Sequence, residues 1–367
     1  MSELTNIDEL LQNEAQNALH DSHLGVLPCE ERHGGLYPQV DLGIWLRSCI
    51  EEVVSPQRGQ LKGLVPPWLK GQLMMNGPGK FYFGQDIFQH LFDGSALIQK
   101  FSIEKGQVYY SCRFLRTKSF MENLKAGAIT RNEFATNANS DNRAVIPQNG
   151  EKKSLSVKER LSGLTNGIEG LMSDNAMISI YPLGKNYFCF YESPFLCRLD
   201  PYTLATCERV DLNKKLSVFS HGSHPHYDAQ GNMYTIAVKI GFSGPEYVIH
   251  RFPREGQVEA FEGGQPLARV RSRWLLEPGY MHSFAITENY YILVEQPMTV
   301  HAPSLARGNH YWTPHVYANR GSKALFCMHF CASACKIFKG YVSDAGSIRI
   351  ALSHVIIMSL TVLHYKA

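Results

Sequence analysis

The sequence predicts an all-β protein on three observations. Thirty glycines and 18 prolines supply abundant turn formers. Nineteen phenylalanines, 18 tyrosines and 4 tryptophans favour pleated surfaces over helices. Short apolar runs recur between turn signals, without the strand–helix alternation of a parallel sheet. This pattern fits a sandwich, a barrel or a propeller equally well.

Taken in order, residues 1–43 are polar, with a short amphipathic helix expected over Ile7–Leu19 and a second helix over Asp41–Val54. Phe101–Ile103 and Val108–Phe114 read as strands around a Lys105-Gly106 turn. Residues 134–165, rich in Asn, Ser, Lys and Gly, read as a long surface loop. Strands then follow at Ala176–Tyr181, Tyr187–Glu192 and Phe195–Leu199, and at Met233–Ile240, Tyr247–Phe252, Met281–Ile286 and Tyr290–Glu295. After about Gly308 the strand rhythm fades, so the tail is expected to be a helical extension or sequence foreign to the main fold.

The 367 residues are 44% hydrophobic and 19% charged, enough to bury a large core and incompatible with wholesale disorder. A net charge of +3 offers no cationic cluster for phosphate contacts, which argues against a nucleic-acid partner. Nine cysteines form no CxxC pair, and Met1–His20 carries Glu3, Asp8, Glu9 and Glu14 where a secretory leader needs an apolar run. Reduced thiols and a cytoplasmic location are therefore expected. The most apolar stretch, Ile348–Leu363, is interrupted by Arg349, Ser353 and His354 and falls short of the ~20 residues that span a bilayer.

Two histidine contexts could carry chemistry. In Ser223-His224-Pro225-His226-Tyr227-Asp228, an extended backbone would point His224 and His226 to one face. Neutral imidazoles presented together suit a divalent transition metal, and a hydrogen-bonded surface cluster fits the same pattern. His282, between apolar neighbours in Tyr280-Met281-His282-Ser283-Phe284, is either a ligand or a core histidine. Glu192, at the end of the apolar run Phe188-Cys189-Phe190-Tyr191, is either exposed at a strand edge or a buried carboxylate. In the second case it needs a partner, such as the ring N–H of a metal-bound histidine. Asp93-Gly94 reads as a simple turn, and Cys327, Cys331 and Cys335 as one face of a helix with no metal-site spacing.

Five blocks together resemble a known family. They are Pro67-Trp68-Leu69-Lys70-Gly71 with Asn76-Gly77-Pro78-Gly79; His90-Leu91-Phe92-Asp93-Gly94; Tyr110-Ser111-Cys112-Arg113-Phe114-Leu115-Arg116; the His224 block; and the His282 block with Thr287-Glu288-Asn289-Tyr290 and Val294-Glu295-Gln296-Pro297. In this order, between about residues 44 and 303, they resemble the carotenoid cleavage oxygenases, which include β-carotene oxygenases and the retinal pigment epithelium isomerohydrolase.

The resemblance implies a seven-bladed β-propeller under a helical cap. In that family four axial histidines hold Fe(II), three of them backed by glutamates. It implies that His224 and His282 are iron ligands, that Glu192 backs His282, and that His226 is a structural neighbour rather than a ligand. It further implies O2-dependent cleavage of a carotenoid or apocarotenoid double bond to carbonyl products, with peripheral membrane association as a route to apolar substrate. The family's third and fourth ligand blocks do not follow; His310, His315, His329, His354 and His364 sit in no matching motif. The expectation is therefore an incomplete propeller lacking its C-terminal blades, with an oxygenase domain over 44–308 and an unrelated tail over 309–367. Iron binding and turnover would be impaired. The alternatives are retinoid isomerohydrolase-like activity or a non-catalytic protein that binds apolar ligands.

Overall fold

The computed structural model describes residues 47–136, 172–254 and 261–300 apart from 242, 276 and 296–298, together with residues 7, 9–12 and 138 and the backbone of strands at 325–330, 337–342 and 348–350. Four antiparallel sheets account for nearly all of it.

The first sheet is built from β1 (Val53–Arg58), β2 (Gly71–Lys80), β5 (Ser95–Glu104) and β6 (Gln107–Phe114) in the order β1-β6-β5-β2, with the short pair β3 (Tyr82–Phe83) and β4 (Asp86–Ile87) beside it. Lys105 and Gly106, at φ 51° and 73°, make the expected tight turn between β5 and β6. The second sheet is a meander of β7 (Ser179–Leu183), β8 (Asn186–Phe190), β9 (Phe195–Leu199) and β10 (Thr206–Asp211). The third contains β11 (Ser220–His221), β12 (His226–Tyr227), β13 (Met233–Gly241), β14 (Gly244–Phe252) and β15 (Gln265–Arg271), with β11 and β12 both paired to β13. The fourth is β16 (Ala285–Ile286), β17 (Tyr290–Glu295), β18 (Leu325–Phe330), β19 (Ile337–Val342) and β20 (Ile348–Ile350).

Each gap between successive sheets has its own core. Ala96, Ile98 and Leu115 meet Met177, Cys189 and Leu199 between the first and second. Phe188, Phe190 and Leu196 meet Met233, Ala237 and Phe252 between the second and third. Ile236, Val238, Ile249 and Val270 meet Tyr291 and Leu293 between the third and fourth. A strand inside such a stack is buried on both faces, which explains why β8 and β13 read as continuous apolar runs without alternation. Each fully buried phenylalanine contributes about 2 kcal/mol of transfer free energy.

The leading strands are tied in a row. Asn76 Nδ2 donates to the carbonyls of Ala176 and Ser179, at 2.7 and 3.2 Å. Ser179 Oγ donates to the Ser223 carbonyl at 2.5 Å, and His226 Nε2 to the Phe284 carbonyl at 2.6 Å.

Three expectations change. The helix expected over Asp41–Val54 is absent from its described part: residues 47–52 are irregular and Val53 opens β1. The β-branched pair Val53-Val54 and Pro56 suit an edge strand, and β1 is recruited as one by β6, with Val53 opposite Cys112. The strand expected over Met281–Ile286 is confined to Ala285–Ile286, because the backbone before it is held in another shape, described below. In the tail, β18, β19 and β20 are strands that continue from β17, so the helical alternative fails there, as does the helical face assigned to Cys327, which lies in β18. Cys331 and Cys335 lie outside the described residues, as does most of the 134–165 loop. Of the N-terminal helix, Ile7 and residues 9–12 are helical, and Ile7, Leu10 and Leu11 pack on the core of the first sheet.

Candidate metal centre

His224 lies between β11 and β12, and His282 in the irregular segment ahead of β16. Glu192 lies in the turn between β8 and β9, two residues past the end of β8 and at the last position of the strand expected over Tyr187–Glu192. These turns fall at the same end of three neighbouring sheets, and all three side chains meet there. The Nε2 atoms of His224 and His282 are 3.0 Å apart, with the rings nearly perpendicular at 72°. On the far side of His282, Nδ1–H donates to Glu192 Oε1 at 2.5 Å. Glu192 is 3% exposed, which decides between the two readings of it in favour of the buried carboxylate. Ser223 Oγ also donates to Oε1.

The Nδ1 of His224 faces the Tyr181 hydroxyl at 3.4 Å. Each ring thus has its Nδ1 met by protein and its Nε2 turned to a common point. Electrostatics divide the pair: the Glu192 carboxylate holds His282 above the usual imidazole range, whereas burial and then the charge of His282 push His224 below it. Two imidazole lone pairs this close are relieved either by a shared proton, in an Nε2–H···Nε2 hydrogen bond, or by a metal ion between them. A separation of 3.0 Å is that of two ligands at right angles on one ion with metal–nitrogen bonds of about 2.1 Å. Neutral imidazoles, one backed by a carboxylate, are also a donor set suited to ferrous iron. Among the described residues no group of three or more His, Cys, Asp or Glu side chains is placed to hold one ion, so these two rings are the candidate donors.

His226 reaches the same segment as His224, as period-two alternation requires, but its Nε2 is bonded to the Phe284 carbonyl. His329 belongs to β18, while His310, His315, His354 and His364 lie outside the described residues. Ser223 and Tyr181 were not picked out from sequence. Ser223 could have been, since it directly precedes His224; nothing local marks Tyr181.

Sequence reading also missed a row of rings leading to the site. His90 packs on Phe92 and Phe134, with centroids 4.8 and 5.0 Å away. Phe134 meets Tyr280 at 6.3 Å, and Tyr280 stacks over His282 at 6.5 Å. Asp93 anchors this row and is more than a turn residue. Its fully buried carboxylate accepts from Ala135 N at 2.8 Å and Thr136 Oγ1 at 2.6 Å, fixing the segment that carries Phe134.

The family model described as retinal pigment epithelial membrane protein matches residues 46–329. This chain belongs to the carotenoid oxygenase family. Carotenoid isomerooxygenases of Galleria mellonella and Drosophila melanogaster are 42% and 40% identical to it over 265 and 268 residues, covering 72% and 73% of this chain and 49% and 41% of theirs. The β,β-carotene 15,15'-dioxygenase of Gallus gallus is 35% identical over 262 residues, 70% of this chain and 48% of its own. This carotenoid oxygenase chain thus spans about half the length of the curated relatives it matches.

Solved structures of Synechocystis apocarotenoid oxygenase share the fold. A variant superposes with a TM-score of 0.59 at 19% identity, covering 80% of this chain and 57% of that one. A cobalt-substituted form gives 0.58, also at 19% identity, 80% and 57%. The four sheets are accordingly blades of the carotenoid oxygenase propeller, and the chain covers part of that ring.

Proposed function

We propose that the chain carries two of the iron ligands of a carotenoid-cleaving dioxygenase. His224 and His282 bind Fe(II) through Nε2, and Glu192 orients His282. The observation that carries this reading is the convergence of the two Nε2 atoms with a buried carboxylate behind one of them. When bound, ferrous iron supplies the O2 chemistry that splits a polyene double bond into two carbonyl products.

The chain's own residues do the rest. Accepting the Nδ1 proton, Glu192 fixes the His282 tautomer and makes its Nε2 a better donor. Bonded to the Phe284 carbonyl, His226 is a structural neighbour with no ligand role. The Phe92, Phe134 and Tyr280 rings form an apolar wall that positions a long polyene beside the metal. The relatives, named for carotenoid substrates, support a carotenoid or apocarotenoid as the substrate.

With two imidazoles converging among the described residues, where the family resemblance calls for four, these residues by themselves are proposed to hold iron weakly and turn over poorly. Among the described residues no helix is long and apolar enough to cross a membrane. Cytoplasmic residence with peripheral membrane contact belongs to the same proposal, and liposomes that leave the protein at the bottom of a flotation gradient would remove the membrane contact from it.

The deciding experiment is an anaerobic Fe(II) titration of the purified chain beside a His282→Ala variant, followed by chromatography of products from β-carotene. Binding near one iron per chain, lost in the variant, supports the site. Equal binding by both proteins rejects it. Carbonyl products that require O2 support cleavage, whereas an isomerised alcohol formed by hydrolysis in a parallel incubation with a retinyl ester would replace it with the isomerohydrolase reading.

A further inference from the structure

The segment ahead of β1 runs from the end of β2 to the end of β6 and brings two cysteines together. Cys49 N–H donates to the Gly79 carbonyl at 2.6 Å, and Ser48 Oγ accepts from Phe81 N at 2.9 Å. Three residues further on, Glu52 forms a bidentate pair with Arg116, at 2.6 and 2.7 Å, and accepts from Phe114 N at 2.7 Å. Between these anchors the chain passes directly over Cys112, which is opposite Val53 in the β1–β6 ladder.

Both sulfurs are thereby fixed on one carbonyl. Cys49 Sγ donates to the Glu51 oxygen at 3.1 Å, and Cys112 Sγ lies 3.9 Å from the same oxygen while accepting from Val53 N at 3.4 Å. The two thiols are near enough to shift one another's proton affinity. Cys49 is half-buried and Cys112 buried, and both are free.

We propose that Cys49 and Cys112 are a peroxide-responsive dithiol whose disulfide fastens the segment ahead of β1 to β6. The thiolate of one cysteine attacks a peroxide oxygen, giving a sulfenic acid and releasing hydroxide; the neighbouring thiol then displaces the sulfenic oxygen as water. Two thiols and one hydrogen peroxide become one disulfide and two waters.

The electrostatics agree with the geometry. The neighbouring Cys49, helped by Tyr110 and Val53, pulls the Cys112 thiol down to about 6, and the neighbouring Cys112 together with burial pushes Cys49 up. Cys112, the member whose proton affinity is lowered, is thus the attacking thiol of the pair.

A second pair in the same molecule shows what the first has that ordinary packing lacks. Cys189 and Cys197 face each other across β8 and β9, closer in register than Cys49 is to any strand partner. Both are completely buried, and burial drives both thiols upward, joined at Cys197 by the Asp174 carboxylate and Cys189, so neither offers a thiolate or an open path to oxidant. Cys207, exposed on β10, has no cysteine neighbour among the described residues and serves as the single-thiol standard.

The test is a timed hydrogen peroxide treatment of the purified, fully reduced chain, quenched by alkylation and mapped by non-reducing peptide mass spectrometry. The expected first product is a Cys49–Cys112 linked peptide, reversed by dithiothreitol, forming at least about tenfold faster than oxidation of Cys207. The Cys189 and Cys197 peptides should stay alkylatable after denaturation. In Cys49→Ser the linked peptide disappears and Cys112 is recovered as a thiol or sulfenic acid. The proposal is overturned if Cys49 and Cys112 remain separately alkylatable at a dose that oxidises Cys207. It is equally overturned if Cys49 appears only in disulfides between chains, or if Cys189–Cys197 links first. The wild-type measurement decides the matter even where the serine variant folds poorly.

Discussion

The Nε2 atoms of His224 and His282 lie 3.0 Å apart, although 58 residues separate them in the chain. Bonds between blades produce this. Ser179 holds the backbone of Ser223, and His226 holds the backbone of Phe284, so each ligand candidate is one or two residues from a cross-blade hydrogen bond. Gly222 allows the approach: a Cβ there would come within 2.7 Å of Ile236 Cγ2 and 3.4 Å of the His282 carbonyl oxygen. The site is a property of blade stacking more than of either loop.

Glu192→Gln tests the part of this arrangement that is electronic. Glutamine keeps the size and can still accept from His282 Nδ1–H, but it removes the charge that raises the affinity of the ring for a cation. Metal affinity should fall about 10- to 100-fold, read by Fe(II) or Co(II) titration, with a nearly unchanged circular dichroism spectrum. Undiminished affinity would mean that the carboxylate does not act through His282.

The shape of the segment ahead of β16 has a different origin. Glu295, fully buried at the end of β17, accepts from Tyr247 OH at 2.7 Å, Ser272 Oγ at 3.0 Å, and Arg273 N and Nε at 3.0 Å each. Tyr247 OH in turn accepts from Gly279 N at 2.7 Å, three residues before His282. This network holds residues 279–284 away from the ladder geometry that their apolar pattern suggests. Glu295→Ala should destabilise the protein by about 2–4 kcal/mol in urea unfolding, because it takes the carboxylate away from a partly buried guanidinium and a buried hydroxyl. Tyr247→Phe should cost about 1–2 kcal/mol. The double variant should cost less than the sum, since both side chains belong to one network. Simple additivity would count against the network.

The strands of the second and third blades are legible in the sequence because both faces of each are buried, leaving uninterrupted apolar runs such as Phe188 to Tyr191 bounded by turn residues. His224, His282 and Glu192 were legible as candidates because their residue types sit at odds with apolar neighbours. What could not be read was the geometry that depends on other blades. Nothing near Asp41–Val54 shows that β6 will recruit Val53 as an edge partner, and nothing near Met281 shows that Glu295 will hold its backbone irregular. The aromatic row was hidden for the same reason, since Phe92, Phe134 and Tyr280 become neighbours only when two distant loops meet.

Acid sensitivity should come from two histidines outside the candidate site. His221 and His250 lie on β11 and β14, both about 1% exposed, and neither His221 ring nitrogen nor His250 Nδ1 has a partner. Burial pushes His221 down to about 3 and His250 to about 4. Both are neutral in the folded chain, while the unfolded chain takes up a proton on each below about pH 6.5. The unfolded state therefore binds more protons across this window, so stability falls as pH drops from about 6.5 towards 4, by about 1.4 kcal/mol per pH unit for each histidine. Buried Glu133 acts in the opposite sense: its carboxyl is held well above the usual range, so its contribution weakens as pH rises from about 4.5. His221→Phe separates the two. The new ring would lie where His221 now stacks on Phe190, 5.8 Å between centroids, and it removes two unpartnered nitrogens. The variant should be at least as stable as wild type at pH 7.5 and should lose one histidine's share of the acid slope in urea titrations between pH 6.5 and 4.5. An unchanged slope would show that His221 finds a proton-sharing partner or water in the folded chain, and would remove it from the acid response.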